Sequence, residues 1–188
     1  MRVIGGSVRG RRLQSPPRPK ASGRPGVRPT SDLVRGVIFD MLDAMGASYD
    51  RVLDLYAGSG ALGIESLSRG DGVADFVESD AGAAATIVAN LAATGFQSRA
   101  NLLRLTAARA AARLSGPYTL VLADPPYYDE DAPEVVRRLA ASPLVDSETV
   151  LVLEHHRRRA APDELGPLRM YRSRRHGDTV VSIYRGRD

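Results

Sequence analysis

Arg51-Val52-Leu53-Asp54-Leu55-Tyr56-Ala57-Gly58-Ser59-Gly60 runs from a short apolar stretch into two closely spaced glycines, and Ala61 to Ser68 follows with helical character. Strand, glycine turn and helix in that order open a βαβ unit. Glycines at such a turn let a ligand approach the backbone closely, and the helix N-terminus offers N–H groups without partners in the helix. A nucleoside-containing ligand is implied. Gly58, Gly60 and Gly63 satisfy the bare G-x-G-x-x-G spacing of dinucleotide-binding loops. Asp54 argues against a dinucleotide, because a carboxylate beside the loop repels a pyrophosphate and suits the ammonium group of a methionine.

Working outward, apolar runs alternate with helical segments. Val73 to Glu78, Leu102 to Leu105, Leu120 to Ala123 and Val150 to Leu153 read as strands; Ala81 to Thr94, Ala107 to Leu114 and Pro133 to Ala141 read as helices. Such alternation builds a parallel sheet covered by helices on both faces. Met170 to Ser173 and Thr179 to Tyr184 follow one another without a helix between them, so at least one is expected to run antiparallel at the sheet edge.

Upstream, Thr30 or Ser31 can cap a helix whose apolar residues Leu33, Val34, Val37, Ile38, Met41, Leu42 and Met45 recur at helical spacing. The prolines and glycines from Ser15 to Pro29 predict a linker. Arg2 to Gly5 and Arg11 to Leu13 flank the turn-forming Gly6 to Gly10, which predicts a β-hairpin. From Met1 to Gly36 nine basic residues, Arg2, Arg9, Arg11, Arg12, Arg18, Lys20, Arg24, Arg28 and Arg35, face Asp32 as the one acid. That end is an electropositive arm, expected to make phosphate contacts and to contribute little core.

A chain of 188 residues, 43% hydrophobic, suits one α/β domain with a small appendage. We assign residues 1–20 to the arm and 21–188 to the main domain, with 21–29 as a flexible connection. No apolar run approaches the roughly 20 residues of a membrane span, and no signal peptide is expected. There is no cysteine, hence no disulfide and no cysteine-ligated metal. A cytoplasmic monomer without a metal is the expectation.

Two further stretches carry chemistry. Glu78 ends the second strand at the distance where an acid commonly receives ribose hydroxyls, with Asp80 as the alternative ligand. Asp124-Pro125-Pro126-Tyr127 follows an apolar strand directly. Its two prolines fix the loop and remove two donors, leaving carbonyls as acceptors beside the Asp124 carboxylate. Such a set holds an –NH2 group, and Tyr127 offers a ring on which a base can stack.

The pair of motifs Asp54 to Gly60 and Asp124 to Tyr127 resembles the class I S-adenosylmethionine-dependent methyltransferases, in their amino-group methylating branch. Met1-Arg-Val-Ile-Gly-Gly-Ser-Val-Arg-Gly-Arg-Arg-Leu13, Arg28-Pro-Thr-Ser-Asp-Leu-Val-Arg35 and Phe39-Asp-Met-Leu42 are similar to the RsmD family, bacterial enzymes acting on guanine N2 of 16S ribosomal RNA. The resemblance implies a Rossmann-like, mostly parallel seven-stranded sheet with an antiparallel edge strand, and a hairpin that helps engage RNA, with Arg2, Arg9, Arg11 and Arg12 of the arm and Arg28 of the connection as RNA contacts. It implies a cofactor, S-adenosyl-L-methionine, held by Thr30, Arg35, Asp54, Ala57, Gly58, Ser59, Gly60, Glu78, Ser79, Thr106, Ala107 and Asp124. Asp124, Pro125, Pro126 and Tyr127 become the catalytic loop, and the guanine-966-type site of the small subunit, flipped out of its stack, the target. Thr106 departs from the acid that many methyltransferases place there for the adenine amino group, leaving the backbone at Ala107 as the candidate contact. Gly36 stands where relatives often carry Glu.

Three other functions are compatible with parts of this pattern. A DNA adenine-N6 methyltransferase would use the same Asp-Pro-Pro-Tyr loop, but the chain shows no separate target-recognition domain. A protein glutamine methyltransferase would usually carry Asn in place of Asp124. A non-catalytic RNA-binding module would use the basic arm alone.

Overall fold

The computed structural model describes residues 1–17 and 31–186. Its centre is β1 (Arg51–Leu55), joined in parallel to β2 (Val73–Val77) on one side and to β4 (Leu120–Ala123) on the other. β3 (Ala100–Leu103) extends the sheet beyond β2, and β5 (Val150–His156) extends it beyond β4. Then come β6 (Glu164–Leu165), β7 (Leu168–His176) and β8 (Thr179–Gly186), giving the order β3-β2-β1-β4-β5-β8-β7-β6. β8 is inserted antiparallel between β5 and β7. The chain thus winds outward in both directions from β1 and β4, and the crevice where a ligand binds such a sheet lies at their C-terminal ends.

Burial explains why the inner strands read as continuous apolar runs. All four residues of β4 are buried, as are Val52, Leu53 and Leu55 of β1. Helices α1 (Asp32–Ala44), α2 (Ala61–Arg69) and α3 (Ala81–Thr94) share one core with Val52, Leu120 and Val152, through Ile38, Phe39, Ile64 and Ile87. The opposite face packs Leu53, Val121 and Leu151 with α4 (Ala107–Ala110) and α5 (Ala132–Ala140), through Ala110, Val136 and Leu139. Ser31 caps α1, its hydroxyl accepting the Val34 N–H at 3.2 Å. Its alternative, Thr30, and the predicted linker beyond Pro17 lie outside the described residues.

The seven expected strands are all present, and the two-residue β6 is an eighth, too short to leave a periodicity in the sequence. The helix expected over Ala107 to Leu114 ends at Ala110 and continues as turns, consistent with the breaker pair Gly116-Pro117 just downstream.

The arm corrects an expectation. It is a hairpin, with Val3 N–H bonded to Arg11 O and Gly10 N–H to Val3 O, both at 2.9 Å. Far from contributing little core, it buries Val3 and Leu13 within the α1–α3 cluster. Burial of two such side chains contributes about 3–6 kcal/mol. The carboxylate of Glu65 on α2, itself fully buried, accepts the N–H groups of Ile4 and Gly5 at 2.7 Å each and the Arg69 Nε–H at 3.0 Å. Ser68 adds its carbonyl to Ser7 N–H and its hydroxyl to Val8 N–H. The hairpin presents its arginines from a fixed seat on α2.

Candidate active site

Asp54 is the one acid of β1 and is 1% exposed, in a strand otherwise apolar inside the sheet. Its Oδ2 accepts the Gly63 N–H at 2.8 Å, so it sits under the first turn of α2. Burial raises its pKa well above the ordinary carboxylate value; the Gly63 bond opposes this, while the charges of Asp124 and Glu78 add to it. Three carboxylates from the ends of β1, β2 and β4 therefore converge, and among the described residues no cationic side chain acts on Asp54.

The glycine loop is built by backbone conformation. Tyr56 stands at φ 64°, Gly58 at φ 57° and Gly60 at φ 75°, the last capping α2. A Cβ on Gly58 would meet nothing closer than the Tyr56 carbonyl at 3.9 Å, so the loop faces open space there. A Cβ on Gly63 would lie 2.4 Å from Phe76 Cε1, so that glycine serves close packing of helix on sheet. Ala57 is buried, its N–H bonded to Val77 O. Glu78 reaches across to the loop, Oε2 accepting Gly58 N–H and Oε1 accepting Asp80 N–H, each at 2.8 Å. Asp80, the alternative ligand, is occupied as the cap of α3, accepting Ala83 N–H, and the neighbouring Ser79 is exposed. Thr106 is exposed at the start of α4 and Ala107 buried behind it.

In the Asp-Pro-Pro-Tyr loop Pro125 is buried and Asp124 half-buried at the end of β4. The Pro126 carbonyl accepts Asp129 N–H at 2.9 Å and closes a turn over Tyr127 and Tyr128. Tyr127 is 38% exposed. Its ring packs edge-on against His156 at 5.2 Å, and its hydroxyl bonds Thr179 and, at 3.4 Å, Glu154. Burial above all, with Glu154 and Asp124 nearby, pushes the phenol up to about 12, so it remains protonated at neutral pH.

Arg35 stands apart from the loop. It is fully buried in α1, where Nη2 donates to Arg2 O at 2.6 Å and to Asp32 at 2.7 Å, while Nε and Nη1 have no partner among the described residues. Burial lowers its pKa against the pull of Asp32 and Glu65. Arg2, Arg9, Arg11 and Arg12 are exposed on the hairpin; Thr30 and Arg28 lie outside the described residues. Among the described residues no group of His, Asp or Glu is arranged to hold a metal.

Sequence reasoning missed Asn90. Buried on α3, it donates to Ser59 O at 2.9 Å and Gln14 O at 3.0 Å, and accepts Gln14 N–H at 2.7 Å. It ties the arm to the glycine loop. A polar residue inside a helical pattern gives no sign of this partnership.

A sheet wound outward from β1 and β4, with a glycine loop after β1, an acid after β2 and Asp-Pro-Pro-Tyr after β4, is the arrangement of the class I methyltransferases. The comparisons narrow the class. Residues 1–185 match the family described as Conserved hypothetical protein 95, and the chain belongs to that family, the RsmD-type methyltransferases. It is 36% identical over 192 residues, the whole of both chains, to YlbH of Bacillus subtilis (strain 168), provisionally named an rRNA methyltransferase. It is 30% identical to Ribosomal RNA small subunit methyltransferase D of Escherichia coli (strain K12), over 98% of this chain and 89% of that one. Among solved structures, the Escherichia coli protein yhhF, provisionally named a methyltransferase, superposes with a TM-score of 0.81 at 29% identity, over 100% of this chain and 99% of that one.

Proposed function

We propose that the protein transfers a methyl group from S-adenosylmethionine to the exocyclic N2 of a guanine in 16S ribosomal RNA. The observation that carries the reading is the convergence of Asp54, Glu78 and Asp124 at the crevice beside the Asp-Pro-Pro-Tyr loop. The names of the relatives supply the RNA.

The crevice fits this cofactor. The buried Asp54, under the charges of Glu78 and Asp124, favours a ligand carrying positive charge, which S-adenosylmethionine has at its ammonium and sulfonium and a dinucleotide lacks. Asp54, with Ala57, Gly58, Ser59 and Gly60, would hold the methionine portion; Glu78, with Ser79, would take the ribose diol; Thr106 and Ala107 would border the adenine. Arg35, whose Nε and Nη1 find no hydrogen-bond partner among the described residues, would meet an acceptor under the arm, and Thr30 would join it at the cofactor. When bound, the cofactor supplies an electrophilic methyl group.

The chain's own residues do the rest. A guanine amino group is a weak nucleophile because its lone pair is delocalised into the ring. The Asp124 carboxylate and the loop carbonyls accept its two N–H bonds and turn the nitrogen toward the donor. Asp124 takes the proton once the nitrogen has become cationic, since the neutral amino group is far too weak an acid for a carboxylate to deprotonate first. Pro125 and Pro126 hold the loop without competing donors. Tyr127, neutral and braced by Thr179, Glu154 and His156, presents the exposed part of its ring to a base flipped from its stack. Arg2, Arg9, Arg11, Arg12 and Arg28 would contact phosphates.

Transfer of labelled methyl from S-adenosylmethionine to purified small subunits, protein-free 16S RNA, duplex DNA and release factors tests this reading. N2-methylguanine in the RNA, mapped by mass spectrometry, is expected; label in adenine, in protein, or in none of them overturns it.

A further inference from the structure

Strand β7 carries Arg169, Arg172, Arg174, Arg175 and His176 within its nine residues. Beyond Arg169 no strand covers its outer side among the described residues. Cations on an open edge commonly guard it against pairing with another chain, but three observations go further here. First, among the described residues Arg172, Arg174 and Arg175 form no ion pair; Glu164 pairs with Arg169 and Asp178 with Arg157, Arg175 acting on Asp178 only through its charge, and Asp40 is the acid of the adjoining groove. Second, Tyr171 is 45% exposed and lies within cation–π reach of two guanidinium groups, Arg185 at 4.4 Å and Arg172 at 5.7 Å from its ring centre. Guarding an edge needs no exposed aromatic ring, whereas a base stacks on one. Third, a groove of about 710 Å³ separates these residues from Asp40 and Met41 of α1 and from Met45 just after it. His176 lines it too, its Nε2 buried with no hydrogen-bond partner among the described residues.

The strip is also connected to the reaction centre. Glu154 of β5 pairs with Val181 of β8, which pairs with Arg174; His156 pairs with Thr179, which pairs with His176. Both rows lie on one face of the sheet, and the Tyr127 hydroxyl bonds Glu154 in the first row and Thr179 in the second. Two strand spacings separate β5 from β7, so the strip begins about 10 Å from the catalytic loop. Arg172, Arg174 and His176 then follow at about 7 Å intervals along the strand.

We propose that the β7 strip, with Tyr171 and the groove beside α1, is a second RNA-binding surface that carries the substrate backbone away from the catalytic loop. It takes phosphates on Arg172, Arg174 and Arg175 and an unstacked base on Tyr171. The inference rests on the proposed RNA substrate.

The test compares Arg172→Gln/Arg174→Gln with a control of equal charge change on the opposite face, Arg137→Gln/Arg138→Gln on α5. Both pairs are exposed, so both proteins should fold. Binding of protein-free 16S RNA is measured against salt, together with methyl transfer and cofactor affinity. For the β7 pair the log–log salt slope should fall by about 1.4–1.8 and affinity near 0.15 M salt by on the order of tenfold. KM for RNA should rise with kcat and cofactor affinity unchanged, and Tyr171→Ala should weaken binding without altering the slope. A β7 variant matching wild type or the α5 control overturns the proposal. So does loss of activity on assembled subunits with unchanged binding of naked RNA, which would mark the strip as a protein-docking site. A wild-type protein that methylates no RNA refutes instead the reading on which the proposal rests.

Discussion

Replacing Asn90 tests whether arm and glycine loop form one unit. In Asn90→Ala the Ser59 carbonyl loses its partner in a buried setting, which costs about 1–3 kcal/mol. The two bonds to Gln14 are only partly buried and the residue is exposed, so water replaces them, and their loss adds about 1 kcal/mol. The sum is about 2–4 kcal/mol, or roughly 4–16 °C in Tm for a chain of this length. Asn90→Asp should be worse than Asn90→Ala despite its similar size. It keeps the acceptor for Gln14 N–H but turns the donor into a second oxygen facing the carbonyls of Ser59 and Gln14. Thermal denaturation ranks the three proteins, and calorimetry with S-adenosylmethionine should show weakened binding in both variants, because Ser59 belongs to the proposed cofactor loop. An Asn90→Asp protein as stable as wild type would refute the reasoning.

Three further predictions follow from the same geometry. The raised pKa of Asp54 means that its folded-state stabilisation is present below the unfolded carboxylate value and is lost as pH rises through the folded value; Asp54→Asn should therefore stabilise the free protein increasingly toward neutral pH in denaturant titrations while weakening S-adenosylmethionine binding in calorimetry. Gly63→Ala drives a methyl group to 2.4 Å from Phe76 Cε1 and should lower stability by about 1–3 kcal/mol in denaturant titrations; Gly58→Ala, facing open space at positive φ, should cost about 1 kcal/mol and act mainly on cofactor affinity. Arg9→Gln/Arg11→Gln/Arg12→Gln should weaken RNA binding and reduce its salt slope with Tm unchanged, whereas deleting the hairpin should lower Tm because Val3 and Leu13 go with it.

The parts of the molecule legible in the sequence are those where one residue type has one local consequence. Glycine at the turn after β1, proline pairs after β4 and buried apolar runs in β1 and β4 state their structure within a few positions. What was not legible depends on partners far along the chain. Glu65 precedes Arg69 by four residues and reads as a solvated helix pair, yet it is buried and holds the backbone of Ile4 and Gly5, sixty positions away. The hairpin's charge suggested a free arm because Val3 and Leu13 are too few to form a pattern. Arg35 looked like part of a basic run, and its burial follows from the arm folding over α1. Tyr127 was identified as a stacking ring from its motif, but its bracing by Thr179 and Glu154 comes from strands β8 and β5, whose register the sequence does not state.

The central claim is that Asp124 holds the amino group to be methylated, and single-turnover methyl transfer to 16S RNA by Asp124→Ala, read beside cofactor affinity, tests it most directly. A hydrogen bond to a charged group contributes about 1.5–3 kcal/mol, which is about 10- to 100-fold in rate, and loss of positioning adds to it. The account predicts a fall of more than about 100-fold in transfer to guanine N2, with fold intact and S-adenosylmethionine bound nearly as in wild type. An Asp124→Ala protein that folds, binds the cofactor and methylates guanine N2 at close to the wild-type rate would contradict it.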